Sequence, residues 1–226
     1  MENRLKIPYL ILGLAMSLMI LITFLVPDAA DFQRPELARV IFYHVPCALS
    51  SFIFEIAAGW FGIRYLQTRN LKWDIRCGTA LELSTLLSLL TLITGMLFSY
   101  VQWGAWWQWD PRQTSYLMLF LILAACLILR TNFSDEKIRA TSSAIYSTLT
   151  LIPALFLVFV FPRLSYIQQS SLHPSQTLQQ GLLDTSYSWA LRGMTLLLLW
   201  FCIYIYRLQV QTKQLYQKIE EIYGDR

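Results

Sequence analysis

Histidine is almost absent from this chain: His44 and His173 are the only two among 226 residues. Charge is scarce too, at 14% against 56% hydrophobic residues, and that balance excludes an ordinary soluble domain. The four cysteines, Cys47, Cys77, Cys126 and Cys202, form no CxxC pair and no CxxCH motif. The sequence therefore offers neither a dithiol redox site nor a covalent haem attachment site of its own. They read as small packing residues, with Cys47 alone near an outer surface. Internal repeats, low-complexity tracts, phosphate-binding loops and a second soluble domain are all missing.

Apolar runs long enough to cross a bilayer fill the chain instead. Six are visible, at residues 7–26, 45–66, 78–101, 114–129, 141–161 and 187–206. A hydrocarbon core of ~30 Å takes ~20 helical residues, and lipid does not tolerate unpaired backbone groups. The expected fold is an all-α integral membrane protein, a single domain over residues 1–226 forming a six-transmembrane-helix bundle. Lys and Arg orient it. One set of ends carries thirteen, namely Arg4, Lys6, Arg64, Arg69, Lys72, Arg76, Arg130, Lys137, Arg139, Arg207, Lys213, Lys218 and Arg226. The other set carries four, Arg34, Arg39, Arg112 and Arg163, with Arg192 just inside the last run. Both termini are thus expected in the cytoplasm, with residues 207–226 as a helical tail of the last span. The first run is long for a signal-peptide core and Pro27-Asp-Ala-Ala30 is a poor cleavage site, so it reads as a retained helix. The same asymmetry accounts for the net charge of +4 and gives no support for nucleic-acid binding.

Four of the eight tryptophans, Trp103, Trp106, Trp107 and Trp109, fall within seven residues, with Asp110, Pro111 and Arg112 directly behind. The spacing of Trp103, Trp106 and Trp107 predicts one face of a helical turn. Asp110 before Pro111 predicts a helix start. Scattered tryptophans mark a membrane interface. This cluster, with Gly104 and the Asp-Pro-Arg tail, instead describes an indole shelf on the outer face between helices three and four. Indoles offer flat apolar faces to a flat macrocycle, and arginine suits carboxylates. His44 at the mouth of helix two and His173 in the longest outer loop, residues 162–186, lie on the same side. Imidazole is a standard axial ligand of haem iron. The expected geometry is a haem on the outer surface between these two histidines, with Arg112 or another outer arginine at its propionates. Glu55 follows His44 by eleven residues, ~16 Å deeper at 1.5 Å per residue, where a carboxylate is expensive. Its two readings are a polar contact between helices and a transport path. Pro153 predicts a kink in the fifth helix.

The run Trp103-Gly-Ala-Trp-Trp-Gln-Trp-Asp-Pro-Arg112 resembles the W-G-x-[WY]-W-x-W-D-x-R signature of the haem-handling "WWD" family of cytochrome c maturation. Over nearly its whole length the chain is similar to the CcmC branch. The resemblance implies a non-enzymatic role in the bacterial inner membrane, with segment 103–115 handling haem b non-covalently and transiently. It implies periplasmic iron ligation by His44 and His173, and haem contacts from Trp103, Trp106, Trp107, Trp109, Asp110 and Arg112. Implied partners are a CcmE-like haem chaperone that receives the haem, a CcmD-like small subunit and a CcmA–CcmB ABC transporter. Gln113 departs from the pattern, which more often has Leu. Two other readings compete, a haem lyase subunit acting on apocytochrome c and a transporter of haem or another solute. The absence of histidines within the apolar runs argues against the lyase.

Overall fold

The computed structural model describes residues 2–30, 32–174 and 184–223, with side chains from residue 9 onward. Arg4, Lys6, Arg226 and the middle of the loop at 162–186 lie outside those side chains. Every regular element described is helical. Helix α1 (Glu2–Leu25) is followed by a 3-10 turn (Pro35–Val40) that feeds directly into α2 (Ile41–Thr68). Then come α3 (Leu71–Trp103), α4 (Pro111–Thr131), α5 (Glu136–Leu149), α6 (Leu151–Leu155), a π-helical turn (Phe156–Val160) and a 3-10 turn (Phe161–Arg163). A short α7 (Ser165–Gln169) and a long α8 (Thr185–Tyr223) are the last elements among the described residues. Five stretches are long and apolar enough to cross a membrane: Pro35–Thr68, Leu71–Trp103, Pro111–Thr131, Glu136–Arg163 and Thr185–Tyr223. In α1 the apolar stretch Tyr9–Leu25 is shorter.

Helices α2 and α3 run antiparallel at the centre. Ser84 Oγ donates across them to the Ser51 carbonyl at 2.8 Å. Phe54 and Ala58 of α2, Leu81 and Leu87 of α3, and Leu119 and Leu123 of α4 fill the core. Small residues allow the close approach of α5, because a Cβ on Gly62 would stand 2.8 Å from the Ala144 carbonyl oxygen. Small residues at such contacts are the usual device of membrane helices. At one end of the bundle, Gln102 clasps the loop after α1, accepting from Arg34 N–H at 3.1 Å and donating to its carbonyl at 2.9 Å. Tyr187 of α8 donates to the Ala38 carbonyl at the same end, at 2.9 Å. Asp74, Arg130 and Arg139 meet at the opposite end.

Two expectations change. Helix α2 begins at Ile41 rather than near residue 45, because the 3-10 turn runs into it without a break, so His44 lies within the helix. Cys47 consequently faces the core, and all four cysteines are buried. At Pro153 the fifth apolar run is interrupted as expected, α5 ending at Leu149 and α6 beginning at Leu151, because Pro153 has no N–H for the Leu149 carbonyl. Further along, the helix type changes from α to π to 3-10 ahead of Pro162. The helical tail continues unbroken from α8 to Tyr223.

Candidate functional site

Helix α3 stops at Trp103 because Gly104 takes φ +80°, and its N–H caps the Tyr100 carbonyl at 2.9 Å. This left-handed residue is the common way to end a helix. The helical face predicted for Trp103, Trp106 and Trp107 is therefore not formed, since the turn that would align them ends at its first member. Residues 104–110 form an irregular loop, and the four indoles part company. Trp103 packs edge-on against Phe98, ring centroids 5.5 Å apart. Trp106 stacks on Tyr100 at 4.5 Å and is half exposed. Trp107 meets Trp109 edge-to-face at 5.8 Å, and Trp109 is 75% exposed with φ +55°. Gly104→Ala is expected to destabilise the protein by about 1–2 kcal/mol through the left-handed backbone alone. Nothing lies within 4 Å of its added Cβ. Thermal unfolding of the detergent-solubilised protein checks it.

The loop ends as predicted: Asp110 caps α4, accepting from Arg112 N–H at 2.8 Å, with Pro111 in the first turn. Between the loop, α2, α3 and the π turn lies a cavity of about 300 Å³. Its walls are mostly apolar, including Leu49, Phe52, Leu92, Met96 and Phe159. That volume is at the small end for ligand sites, so a large flat ligand would sit in it by one edge.

Both histidines line this cavity. His44 Nδ1 lies 3.1 Å from the Thr91 carbonyl and 3.1 Å from Thr94 Oγ1. A carbonyl can only accept, so Nδ1 carries the proton and Nε2 is the nitrogen left for a metal. A ring nitrogen held this way is the usual support of a histidine ligand. Gly95 leaves room for the ring: a Cβ there would stand 3.0 Å from His44 Cε1. Thr94 precedes the end of α3 by nine residues, about 14 Å at 1.5 Å per residue. The site therefore sinks into the end of the bundle rather than standing on its surface.

His173 arrives on the segment after α7, and Asp110 holds that segment. Asp110 Oδ2 accepts from Ser171 Oγ at 2.8 Å and from Leu172 N–H at 2.7 Å. Loss of solvent, reinforced by the charges of His44 and Arg112, pushes the His173 pKa down to about 3. Its imidazole is thus neutral at physiological pH, the form that binds metals. The two imidazole centroids are 6.4 Å apart. Two imidazoles on opposite sides of one metal, with metal–nitrogen distances of about 2 Å, have centroids about 6 Å apart.

Of the eight residues singled out in the sequence, six line the cavity: His44, His173, Trp103, Trp107, Asp110 and Arg112. Trp106 and Trp109 do not. Further polar residues line it too, Thr91, Ser115 and Tyr116 and, at the indole loop and the π turn, Gln113 and Arg163. In the sequence alone Arg163 is only an outer cation and Gln113 only a departure from a motif. Glu55 is outside the cavity and 1% exposed, with no hydrogen-bond partner described for either carboxyl oxygen.

Comparison with known proteins places these observations in a family. The family model CcmC, described as heme exporter protein C, matches residues 1–223. A putative cytochrome c biosynthesis ccmC-like mitochondrial protein of Marchantia polymorpha is 37% identical over 43% of this chain and 43% of its own length. Heme exporter protein C of Bradyrhizobium diazoefficiens is 30% identical over 70% of this chain and 57% of its own length. The Escherichia coli (strain K12) protein of that name is 26% identical over 74% and 68%. The chain spans 43%, 40% and 38% of three of the curated relatives it matches.

Proposed function

The chain belongs to the CcmC, or heme exporter protein C, family, and from that membership we propose that it handles haem for cytochrome c maturation. In this reading His44 and His173 ligate haem iron non-covalently at the periplasmic end of a six-span bundle with α1 as the first span. The protein then yields the haem to a CcmE-like chaperone, working with a CcmD-like subunit and a CcmA–CcmB ABC transporter. It acts as a carrier, not as an enzyme.

The observation that carries the proposal is the pairing of the chain's two histidines across one apolar cavity, 6.4 Å apart. The cavity chemistry agrees with it. Trp103 and Trp107 offer flat apolar faces, and Arg112 offers a donor fork to a carboxylate. Orientation rests on the charge asymmetry: the end carrying Arg64, Arg69, Lys72, Arg76, Arg130 and Arg139 is the cytoplasmic one. Both termini then lie in the cytoplasm, and the membrane is the bacterial inner membrane. Bound haem would supply the iron; His44 and His173 would be the residues that hold it, and replacement of one imidazole by a ligand from the chaperone would let the haem pass on.

The test is an absorption spectrum of the purified full chain. The expected wild-type spectrum is that of six-coordinate, bis-imidazole haem. His44→Ala and His173→Ala should each lose it or leave a five-coordinate species, and neither variant should load the chaperone. Absence of haem from the wild type, or a spectrum indifferent to both substitutions, refutes the ligation. A second reading, transport across the bilayer, draws on Glu55, a buried carboxyl without a described partner. Intramembrane carboxyls are typical of transport paths. Solute uptake into vesicles that is lost in Glu55→Gln would favour it.

A further inference from the structure

Arg163 is held in an unusual way. Its Nη1 donates to the Phe159 carbonyl at 2.9 Å and to the Val158 carbonyl at 3.3 Å. In a continuous α-helix the Val158 carbonyl would accept from residue 162, but Pro162 has no N–H. Pro162 thus cannot compete for the Val158 carbonyl, and Arg163, fixed by that carbonyl and by that of Phe159, lies at the cavity wall. Arg112 lines the same cavity, close enough that the two positive charges repel. Neither arginine forms an ion pair with a described carboxylate. Asp110, the acid beside them, has its oxygens engaged by Arg112 N–H, Ser171 and Leu172.

Gln113 adds a third donor. Its Oε1 accepts from Gln108 N–H at 3.0 Å, which fixes the indole loop and commits the carbonyl end of the amide. The other end, Nε2, is buried without a described partner. A buried donor left unmade is costly, and in native structures it calls for an explanation. A leucine here would neither hold Gln108 nor present that donor.

We propose that Arg112, Arg163 and the Gln113 amide form one seat for a ligand carrying two carboxylates, so that the cavity selects its porphyrin by both propionates. The inference deepens the haem reading and rests on it for the identity of the ligand. Two guanidiniums and a neutral amide exceed what a single carboxylate satisfies. A dianion quenches the mutual repulsion of the arginines and fills the vacant donor of Gln113, through charge-assisted hydrogen bonds.

Metal-free protoporphyrin and its dimethyl ester, titrated by fluorescence into the detergent-solubilised full chain, test the seat without any iron ligation. The wild type is expected to bind the free acid at least about tenfold more tightly than the ester, the effect of about one charged contact. Arg163→Gln should bring that ratio to about threefold or less. Gln113→Glu keeps the acceptor for Gln108 N–H but sets a negative charge where the donor was, so it should weaken the acid and spare the ester. Arg163→Lys should fall between wild type and Arg163→Gln. Equal affinities of the wild type for acid and ester, binding of neither, or an unchanged ratio in both Arg163→Gln and Gln113→Glu overturns the proposal. A wild type that discriminates acid from ester yet shows no six-coordinate haem spectrum refutes only the histidine ligation.

Discussion

Asp110→Ala is expected to cost about 3–5 kcal/mol of stability and to abolish the six-coordinate haem spectrum together, because one carboxylate fastens two sides of the cavity. Oδ1 caps α4 at Arg112 N–H, 2.8 Å away. Oδ2 holds Ser171 and Leu172, at 2.8 and 2.7 Å, two positions before His173 and one. A lost N-cap costs about 1 kcal/mol, and each hydrogen bond to a charged acceptor contributes about 1.5–3 kcal/mol. The three bonds share one side chain, so their losses will not add in full. Asp110 is 4% exposed, and water cannot readily take its place.

Asp110→Asn separates the two duties. The amide keeps one acceptor oxygen, so either the α4 cap or the hold on 171–172 survives while an NH2 group confronts donors on the other side. About half of the stability loss is expected, with a spectrum that reports which side was sacrificed. Thermal unfolding and absorption spectra of both variants are the measurement. Wild-type melting and an unaltered spectrum in Asp110→Ala would mean that the His173 segment holds itself.

Much of this site was legible in the sequence, for identifiable reasons. Apolar run length marked five helices that are long and apolar enough to span, while the first run is the shorter apolar stretch of α1; lipid leaves the backbone little alternative to a helix. The cap at Asp110-Pro111 was legible because it is local: a side chain reaches its own helix within two residues. The indole shelf failed on an equally local matter. Periodicity across residues 103–107 assumes a continuous helix, and Gly104 at φ +80° ends it. A glycine between tryptophans was the available signal, and helix-ending glycines are common. The depth of the site was hidden because it depends on where α2 begins. Pro46 suggested a start near residue 45, whereas the 3-10 turn carries the helix back to Ile41. Arg163 and Gln113 were illegible as site residues because their roles arise from tertiary placement. Nothing local brings the end of the π turn beside the first turn of α4.

The opposite end of the bundle offers a loss of comparable size that should leave the cavity intact. Asp74 and Arg130 form a bidentate pair, Nη1 to Oδ1 at 2.6 Å and Nη2 to Oδ2 at 2.9 Å, joining α3 to α4. Their side chains are 2% and 14% exposed, and Arg139 of α5 approaches Asp74 at 4.0 Å. Gly78 leaves space for the guanidinium, since a Cβ there would stand 2.7 Å from the Arg130 Cζ. Asp74→Ala strands a buried cation and is expected to cost about 3–5 kcal/mol. Asp74→Leu combined with Arg130→Met removes both charges and should recover most of that loss, because apolar replacement of a buried pair is often near neutral. A double-mutant cycle closed with the single variants Asp74→Leu and Arg130→Met would then show a coupling of about 2–3 kcal/mol. The folded fraction of Asp74→Ala should keep the six-coordinate spectrum, in contrast to Asp110→Ala. If the double variant is as unstable as the single one, packing around Gly78 rather than charge pairing holds this end together. If the single variant also loses the spectrum while folded, the two ends are coupled along α3 and α4, which run between them.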